Sequence, residues 1–164
     1  MSEEFLSKRP LITGMGAALV DLFADVDEAA LDALGAPKGS MTLVDTARAT
    51  ELQENVHVHT YRPGGSAANT VAGLAGLGMP GGFIGKIGDD ELGKIFRDSL
   101  TDLGVTFPVT PCDAAAHPTG NCLVLVTPDA ERTMHTLLGA SVTTATQDLD
   151  ADLLDATGIL FCEG

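Results

Sequence analysis

The chain has 164 residues, of which 45% are hydrophobic and 4% aromatic, enough for one domain with a core of aliphatic side chains. Its formal net charge of −14 argues against nucleic acid and against an anionic membrane surface as partners, because both would repel it. Three cysteines without C-x-x-C spacing indicate neither a disulfide framework nor a zinc site. No apolar run approaches the ~18 residues of a membrane helix, and MSEEFLSKRP lacks the apolar segment of a signal peptide. We therefore expect a cytoplasmic protein without a metal site.

Short apolar strands alternate with helical patterns along the chain, which predicts an α/β fold with a mainly parallel central sheet. Gly78 and Pro80 end one predicted helix, and Gly104 ends another. Residues 119–138 read as two strands joined by a Pro-Asp turn, which predicts a β-hairpin. The predicted elements are a strand at 11–23, helices at 27–34 and 45–54, a half-exposed strand at 56–63, a helix at 64–78, a strand at 81–88, a helix at 89–103, β segments at 106–113, 119–128 and 131–140, a helix at 148–155 and a buried strand at 158–164.

Two glycine motifs resemble phosphate-binding loops but break the pattern. Residues 88–95, GDDELGKI, match the P-loop G-x-x-x-x-G-K-[ST] except at Ile95, which replaces the hydroxyl that would reach Mg²⁺. The three acids inside this loop would repel a polyphosphate, whereas acids are favoured in the first turn of a helix. In GMGAAL, residues 14–19, Leu19 replaces the third glycine of the dinucleotide fingerprint. Neither motif predicts a nucleotide site.

The helix predicted at residues 64–78 begins at two glycines and is dense in small residues. Its first N–H groups are free and its backbone is unshielded, so it can receive an oxygen-rich ligand, with Ser66 and Asn69 one turn apart. Tight packing against the sheet explains the same composition. Asp21 has two readings as well: it lies at the carboxyl end of the first strand, where α/β proteins bind ligands, or it marks the exit of that strand into solvent.

The alternation His57-Val-His59 places two imidazoles on one face of a strand, a pattern that would suit a metal site with a third ligand. Two solvated strand histidines are the competing interpretation, and we favour it because no third ligand is near in sequence.

Several separated segments resemble one protein family. GGSAANTVAGLAGLGMPGGFIGKIGDDELG, residues 64–93, resembles the first signature of the ribokinase-like (PfkB) family of carbohydrate and nucleoside kinases. KGSM at residues 38–41, TGNCLVLVTPDAERTMHTLLGAS at 119–141 and the closing ILFCEG are similar to the bacterial adenosine-kinase-like branch. In this family the strand–turn–helix around GKIGDDELG is a structural part of the central sheet, and phosphates bind in the other half of the molecule.

The resemblance implies a kinase that moves the γ-phosphoryl group of ATP, bound with Mg²⁺, to a hydroxyl of an adenosine-like nucleoside or of a sugar. It implies a ribokinase-like central sheet flanked by helices, and a small β lid formed by segments near residues 56–62 and 106–138. Arg132 would meet phosphate charge when the lid closes, or is simply an exposed hairpin arginine. Carboxylate and glycine suit a sugar site, because one accepts from vicinal hydroxyls and the other allows close approach. The residues implied to bind the substrate are Asp21, Gly64, Gly65, Ser66, Asn69, Thr119, Met134 and Leu137.

The chain departs from the family pattern in two ways. Ala17 stands where the adenosine-kinase-like branch usually carries Asn, which puts adenosine specificity in question. Family members are about twice as long, and their second half holds a G-A-G-D element whose Asp is the general base. No G-A-G-D occurs here, so residues 1–164 are interpreted as the N-terminal half of the kinase, without a catalytic residue and with ATP and Mg²⁺ bound mainly by the other half.

This interpretation leaves the acceptor and the partners open. Ribose, fructose and nucleoside kinases share the glycine pair, so the acceptor is either a nucleoside or a sugar. The sheet edge at GILFCEG is expected to be unpaired or covered by a neighbouring chain, and a homodimer through the lid is a partner that the resemblance allows. The alternative function is a non-catalytic sugar- or nucleoside-binding or dimerisation module that keeps the same site.

Overall fold

The structure is a computed structural model that describes residues 9–163. It has the α/β architecture that the sequence predicts. The strands are β1 Leu11–Met15, β2 Leu19–Asp25, β3 Met41–Leu43, β4 Thr60–Gly64, β5 Gly81–Ile84, β6 Gly120–Val126, β7 Arg132–Leu137 and β8 Thr157–Cys162. The helices are α1 Glu28–Ala33, α2 Thr46–Glu54, α3 Ser66–Gly76, α4 Glu91–Thr101 and α5 Ala151–Ala156, with 3₁₀ helices at Gly139–Thr143 and Thr146–Asp148.

The ends of the chain bear on two predictions, the absence of a signal peptide and the strand at 158–164. Residues 1–8 and Gly164 lie outside the described residues. Residues 1–8, MSEEFLSK, carry most of the segment from which we expect no signal peptide. Within residues 9–163, no helix has the length and apolarity required to span a bilayer.

The first sheet, which we call the main sheet, is parallel and has the order β5-β1-β8. Helix α3 packs on β1 and β5 so closely that a Cβ atom at Gly14 would stand 2.7 Å from the Val71 side chain. Next to β5, the rings of Phe83, Phe96 and Phe107 form a buried cluster with centroids 5.3–5.7 Å apart. Aromatic rings prefer this separation, and the cluster joins α4 to β5, while α4 also packs on β2 and β4.

The second sheet has the order β3-β7-β6-β2-β4. Strands β6 and β7 pair antiparallel from Asn121–Leu137 to Val126–Arg132, so the hairpin predicted at residues 119–138 is confirmed. Strand β2 pairs parallel with β6 and antiparallel with β4. One face of this sheet carries buried apolar side chains, which include Val20, Leu22 and Leu125.

The chain crosses between the two sheets at residues 16–18, 64–65, 118–119 and 138–139. The first crossing differs from the prediction, because the apolar run at 11–23 forms two strands in different sheets instead of one. Apolar periodicity does not distinguish one long buried strand from two short ones, and at the break residue 17 packs closely against Gly65.

Two predicted strands also have a different environment from the one expected. Residues 106–113, expected in the lid, run beside the main sheet instead, with bridges between Gly82 and Thr106 and between Gly88 and Cys112. Strand β8 was expected to be buried, but it is an edge strand with 51% of Ile159 and 47% of Leu160 exposed. An unpaired edge at this position agrees with the expectation for GILFCEG. An exposed apolar edge strand is a surface that ordinarily requires a covering element.

Candidate functional site

The first turn of α3 is the only uncapped start among the α-helices that the structure describes. At the start of each other α-helix an aspartate side chain accepts a hydrogen bond from a backbone N–H group. In α3 the N-cap is Gly65, without a side-chain hydrogen bond, and no acid lies in the first turn. Free N–H groups at a helix start carry partial positive charge, so this end of α3 suits an oxygen-rich ligand.

The glycine pair before α3 allows two close approaches. Gly65 has a φ of 87°, and a Cβ atom there would stand 2.3 Å from the carbonyl oxygen of Ala17. A Cβ atom at Gly64 would stand 2.7 and 2.8 Å from the carboxylate oxygens of Asp21. Neither position has room for a side chain, so the two glycines bring Asp21 against the start of α3.

The Asp21 side chain is half-buried, and within residues 9–163 it has no hydrogen-bond or ion-pair partner. Burial raises the pKa of its carboxyl, because desolvation disfavours the charged form. A partly desolvated carboxylate without a partner is a strong acceptor for hydroxyl groups. Asp21 therefore has the chemistry of a ligand-binding group.

Asp21 does not lie at the carboxyl end of the first strand, which is a correction to the expectation. It is the third residue of β2 and belongs to the second sheet, with Arg62 and Cys122 as register partners. The crossing at residues 16–18 is the reason, since it divides the predicted strand before Asp21. The expected proximity of Asp21 to the glycine pair is nevertheless present.

Strand alternation defines the face of the second sheet on which Asp21 lies. This face, which we call the Asp21 face, is largely apolar and carries an arginine on either side, Arg62 on β4 and Arg132 on β7. Its members by register include Leu19, Asp21, Phe23, Asp25, Met41, Leu43, Arg62, Cys122, Val124, Val126, Arg132, Met134 and Thr136. The exposed fractions of Met41 and Leu43 are 59% and 60%, so the face presents an open apolar surface beside the carboxylate.

The remaining residues that the sequence assigned to the site divide into two groups. Ser66 and Asn69 are exposed on the first turn of α3, near the glycine pair. Thr119 is buried at the crossing to β6, and its hydroxyl donates a hydrogen bond to Asp90. Leu137 pairs with Asn121 on the buried face of the second sheet, opposite to the Asp21 face. Thr119 and Leu137 thus lie away from the Asp21 face, and their contact with a substrate stays a prediction.

Sequence reasoning missed a cavity of about 320 Å³ at the carboxyl ends of β1 and β8. Its walls include Met15, Gly16, Ala17, Leu138, Ser141 and Val142. The 3₁₀ helix Gly139–Thr143 forms one wall, although the sequence predicted that β7 continues there. The signal that was available is Gly139, which adopts a φ of 52° and ends the strand.

The loop at residues 88–95 does not fit a polyphosphate. The Asp90 carboxylate already accepts hydrogen bonds from Gly93 N and from Thr119, and Lys94 pairs with Asp98 at 3.0 Å on the exposed side of α4. Within residues 9–163, no group of three or more His, Cys, Asp or Glu side chains is arranged to hold a metal ion. His57 and His59, predicted to lie on a strand, precede β4, which begins at Thr60. The described residues therefore offer hydroxyl-binding chemistry at Asp21, and the carboxylate and lysine of the loop at residues 88–95 are engaged within the protein.

Comparison with known proteins decides the family. A family model described as pfkB family carbohydrate kinase matches residues 26–164. The chain belongs to the pfkB family of carbohydrate kinases. The structure of adenosine kinase from Sinorhizobium meliloti superposes with a TM-score of 0.82 at 35% identity, covering 94% of this chain and 47% of that one. The ribokinase-like fold inferred from the sequence is therefore confirmed.

Two curated relatives of this pfkB chain are kinases by name. A 5-dehydro-2-deoxygluconokinase from Bacillus anthracis is 37% identical over 67 residues, which are 41% of this chain and 20% of the relative. A fructokinase from Klebsiella pneumoniae is 39% identical over 71 residues, 43% of this chain and 23% of the relative. This pfkB chain spans about half the length of the adenosine kinase it matches and corresponds to the N-terminal half of the full-length fold.

Proposed function

We propose that the chain is the acceptor-binding half of a kinase that transfers the γ-phosphoryl group of ATP to a hydroxyl of a nucleoside or sugar. The observation that carries this proposal is the unpartnered carboxylate of Asp21 against Gly64, at the uncapped start of α3. Membership of a carbohydrate kinase family supplies the class of reaction.

Each residue of the site has a role that follows from its chemistry. Asp21 accepts hydrogen bonds from two vicinal hydroxyls of the acceptor. Gly64 and Gly65 bring the Asp21 carboxylate against the start of α3, so the N–H groups of α3 donate to oxygens of the acceptor that Asp21 holds. Ser66 and Asn69 add polar contacts from the same turn.

The acceptor that fits best is an adenosine-like nucleoside. The Asp21 face has apolar side chains such as Phe23 and Met134, and the cavity beside Ala17 is largely apolar as well. An aromatic base buries apolar area on such surfaces, whereas a bare sugar leaves them exposed to water. Ala17 provides no side-chain hydrogen bond to the base, so discrimination among bases rests on shape.

The second sheet acts as the lid of the site in this proposal. Strands β4, β6 and β7 supply the parts of residues 56–62 and 106–138 that lie in it. A closed lid excludes water, so that the phosphoryl group passes to the acceptor and not to water. Arg132, on the Asp21 face, approaches phosphate charge on closure.

The rest of the kinase provides what this half lacks. ATP and Mg²⁺ are bound mainly by that other half, which also holds the general base. We propose that its sheet continues from β8, whose exposed apolar residues Ile159, Leu160 and Phe161 would then be buried. The protein acts in the cytoplasm, and a homodimer through the lid is a further arrangement open to it.

Thermal unfolding of the protein in the presence of a panel of candidate acceptors tests this function, with Tm as the measured quantity. Adenosine, other nucleosides, ribose and fructose are added in turn, because a ligand at 100 times its Kd stabilises the folded state by about 2.7 kcal/mol. We expect a nucleoside to raise Tm most. The complete kinase is then expected to transfer labelled phosphate from ATP to that ligand, and the 164 residues alone are expected to show no turnover.

Two results would overturn the proposal. If neither nucleosides nor sugars raise Tm, the site does not bind an acceptor. If an acceptor binds and the complete protein still does not phosphorylate it, the chain belongs to a non-catalytic binding module.

A further inference from the structure

The crossing that leads into β6 is held by one carboxylate, that of Asp90 at the start of α4. Asp90 Oδ2 accepts a hydrogen bond of 2.8 Å from the backbone N–H of Thr119, and Asp90 Oδ1 accepts one of 2.6 Å from its hydroxyl. The same Oδ1 atom caps α4 by accepting from Gly93 N at 2.8 Å. Thr119 has no exposed surface. One side chain therefore fixes both a helix start and the entry to the second sheet.

The Thr119 hydroxyl is both a hydrogen-bond donor and a hydrogen-bond acceptor. It donates to Asp90 and accepts a hydrogen bond of 2.9 Å from Gly88 N. A buried hydroxyl with a donor and an acceptor in place has a defined orientation, and leaving either partner unsatisfied carries a desolvation cost. We refer to Gly88, Asp90, Gly93 and Thr119 together as the hinge clamp.

The two glycines of the hinge clamp are required by its geometry. A Cβ atom at Gly93 would stand 2.3 Å from the carbonyl oxygen of Gly88 and 2.9 Å from Thr119 Oγ1. A Cβ atom at Gly88 would stand 2.9 Å from Thr119 N. The glycine spacing that resembles a P-loop thus makes room for a protein segment, where a true P-loop makes room for phosphate.

The neighbouring crossing packs on the same segment. Ala140 N donates a hydrogen bond of 2.7 Å to the carbonyl oxygen of Pro118, and Gly139 lies so close that a Cβ atom would stand 2.2 Å from that oxygen. Strand β6, which starts directly after Thr119, pairs along its length with β2, the strand of Asp21. The orientation of the segment at Thr119 therefore contributes to the position of Asp21 relative to α3, together with the crossings at residues 16–18 and 64–65.

We propose that Asp90 is a positioning residue that, through the hinge clamp, fixes the orientation of the second sheet over the acceptor site. A ligand that contacts both the second sheet and α3 binds only when the two are correctly oriented, and its affinity falls in proportion to that population. The consequence for affinity rests on the proposed function, but the effect on sheet orientation does not.

Serine at position 90 separates the two tasks of Asp90. Serine is a good N-cap and keeps the hydrogen bond to Gly93 N, but its single short oxygen does not also hold Thr119. Asp45→Ser is the matched control, because Asp45 caps α2 by accepting from Arg48 N at 2.8 Å and has no contact with a crossing. Thr119→Val removes the hydroxyl at nearly constant volume, and Thr119→Ser keeps it.

Sheet orientation is measured by pulsed electron resonance between nitroxide labels on Glu54→Cys of α2, which packs on the second sheet, and Leu77→Cys at the end of α3, which packs on β1 and β5 of the main sheet. Cys112 and Cys162 are replaced by serine, and Cys122 is buried. We expect Asp90→Ser and Thr119→Val to broaden the distance distribution, and Asp45→Ser and Thr119→Ser to leave it narrow. For an acceptor identified in the ligand panel, Asp90→Ser is expected to weaken binding about fivefold, as when the competent fraction falls to about one fifth.

Unchanged distance distributions in Asp90→Ser and Thr119→Val, with a stability loss equal to that of Asp45→Ser, would reduce Asp90 to a helix cap and overturn the proposal. The distance measurement decides this even if no acceptor in the panel binds. If Asp90→Ser does not fold, Thr119→Val against Thr119→Ser provides the same comparison.

Discussion

Gly64 lies directly against the carboxylate of Asp21, with room for a hydrogen atom but not for a methyl group. This contact joins the second sheet to the start of α3, two parts of the fold that a ligand between them would touch together. The residues on either side of it therefore provide separate tests of function and of stability.

Gly64→Ala is expected to impair ligand binding more than folding. The new Cβ atom meets the end of a flexible side chain, so Asp21 turns away and the backbone stays in place. We expect acceptor affinity to fall about tenfold or more and the free energy of unfolding to change by less than about 1 kcal/mol. Calorimetric titration and urea unfolding of the same samples measure both. A stability loss with unchanged affinity would contradict the assignment of Asp21.

Gly65→Ala is expected to impair folding. The residue has a φ of 87°, and its Cβ atom would meet the Ala17 carbonyl oxygen at 2.3 Å, which is backbone and yields little. We expect a loss of about 3 kcal/mol or more in unfolding free energy. Gly73→Ala, in the middle of the same helix with nothing within 4 Å, is the control and is expected to gain about 0.5–1 kcal/mol. Equal effects of the two changes would refute the close packing of this crossing.

The raised pKa of Asp21 predicts opposite effects of pH on binding and on stability. As pH falls through the raised value, the carboxyl takes up a proton and acceptor affinity decreases. In the window between the usual aspartate pKa of about 3.9 and the raised value, the folded state holds a proton that the unfolded chain has released, so stability decreases as pH rises. Asp21→Asn removes both effects. Calorimetric titrations and unfolding curves of wild type and Asp21→Asn across pH check this. If the unfolding free energy of the two proteins changes with pH in the same way, the prediction is wrong.

Lys94→Ala tests the loop that resembles a P-loop. Lys94 is exposed, and hydrogen bonding and charge attraction to Asp98 raise the pKa of its ammonium group. An exposed pair of this kind contributes little to stability. We expect nucleotide affinity of the complete kinase to stay within about twofold of wild type, whereas a P-loop lysine would lose a hundredfold or more. Filter binding with ATP distinguishes these outcomes.

Local signals in the sequence were sufficient for much of the fold. Asp45 and Asp90 stand at helix starts, where their side chains bond first-turn N–H groups, and the Pro-Asp turn after Val126 joins the hairpin strands. The division of residues 11–23 into β1 and β2 was not predictable from periodicity, since both strands are apolar and the crossing depends on a contact with distant Gly65.

The candidate site was predictable only in part. The resemblance singled out Asp21 and the glycine pair, and the structure brings them together. It also singled out Thr119, whose hydroxyl donates its hydrogen bond to Asp90. No local sequence pattern connects these two residues, so this contact was not predictable. The cavity beside Ala17 was missed because its wall is a 3₁₀ helix that reads as the end of a strand.

Calorimetric titration of Asp21→Asn tests the central claim most directly. The change keeps the shape of the side chain and removes its charge, and Asp25→Asn on the same strand and face, where Asp25 is exposed, is the control. We expect Asp21→Asn to weaken binding of the acceptor by about 1.5–3 kcal/mol, or about 10- to 150-fold, and Asp25→Asn to leave it unchanged. Equal affinities of wild type and Asp21→Asn for every nucleoside and sugar that binds would show that Asp21 does not hold the acceptor.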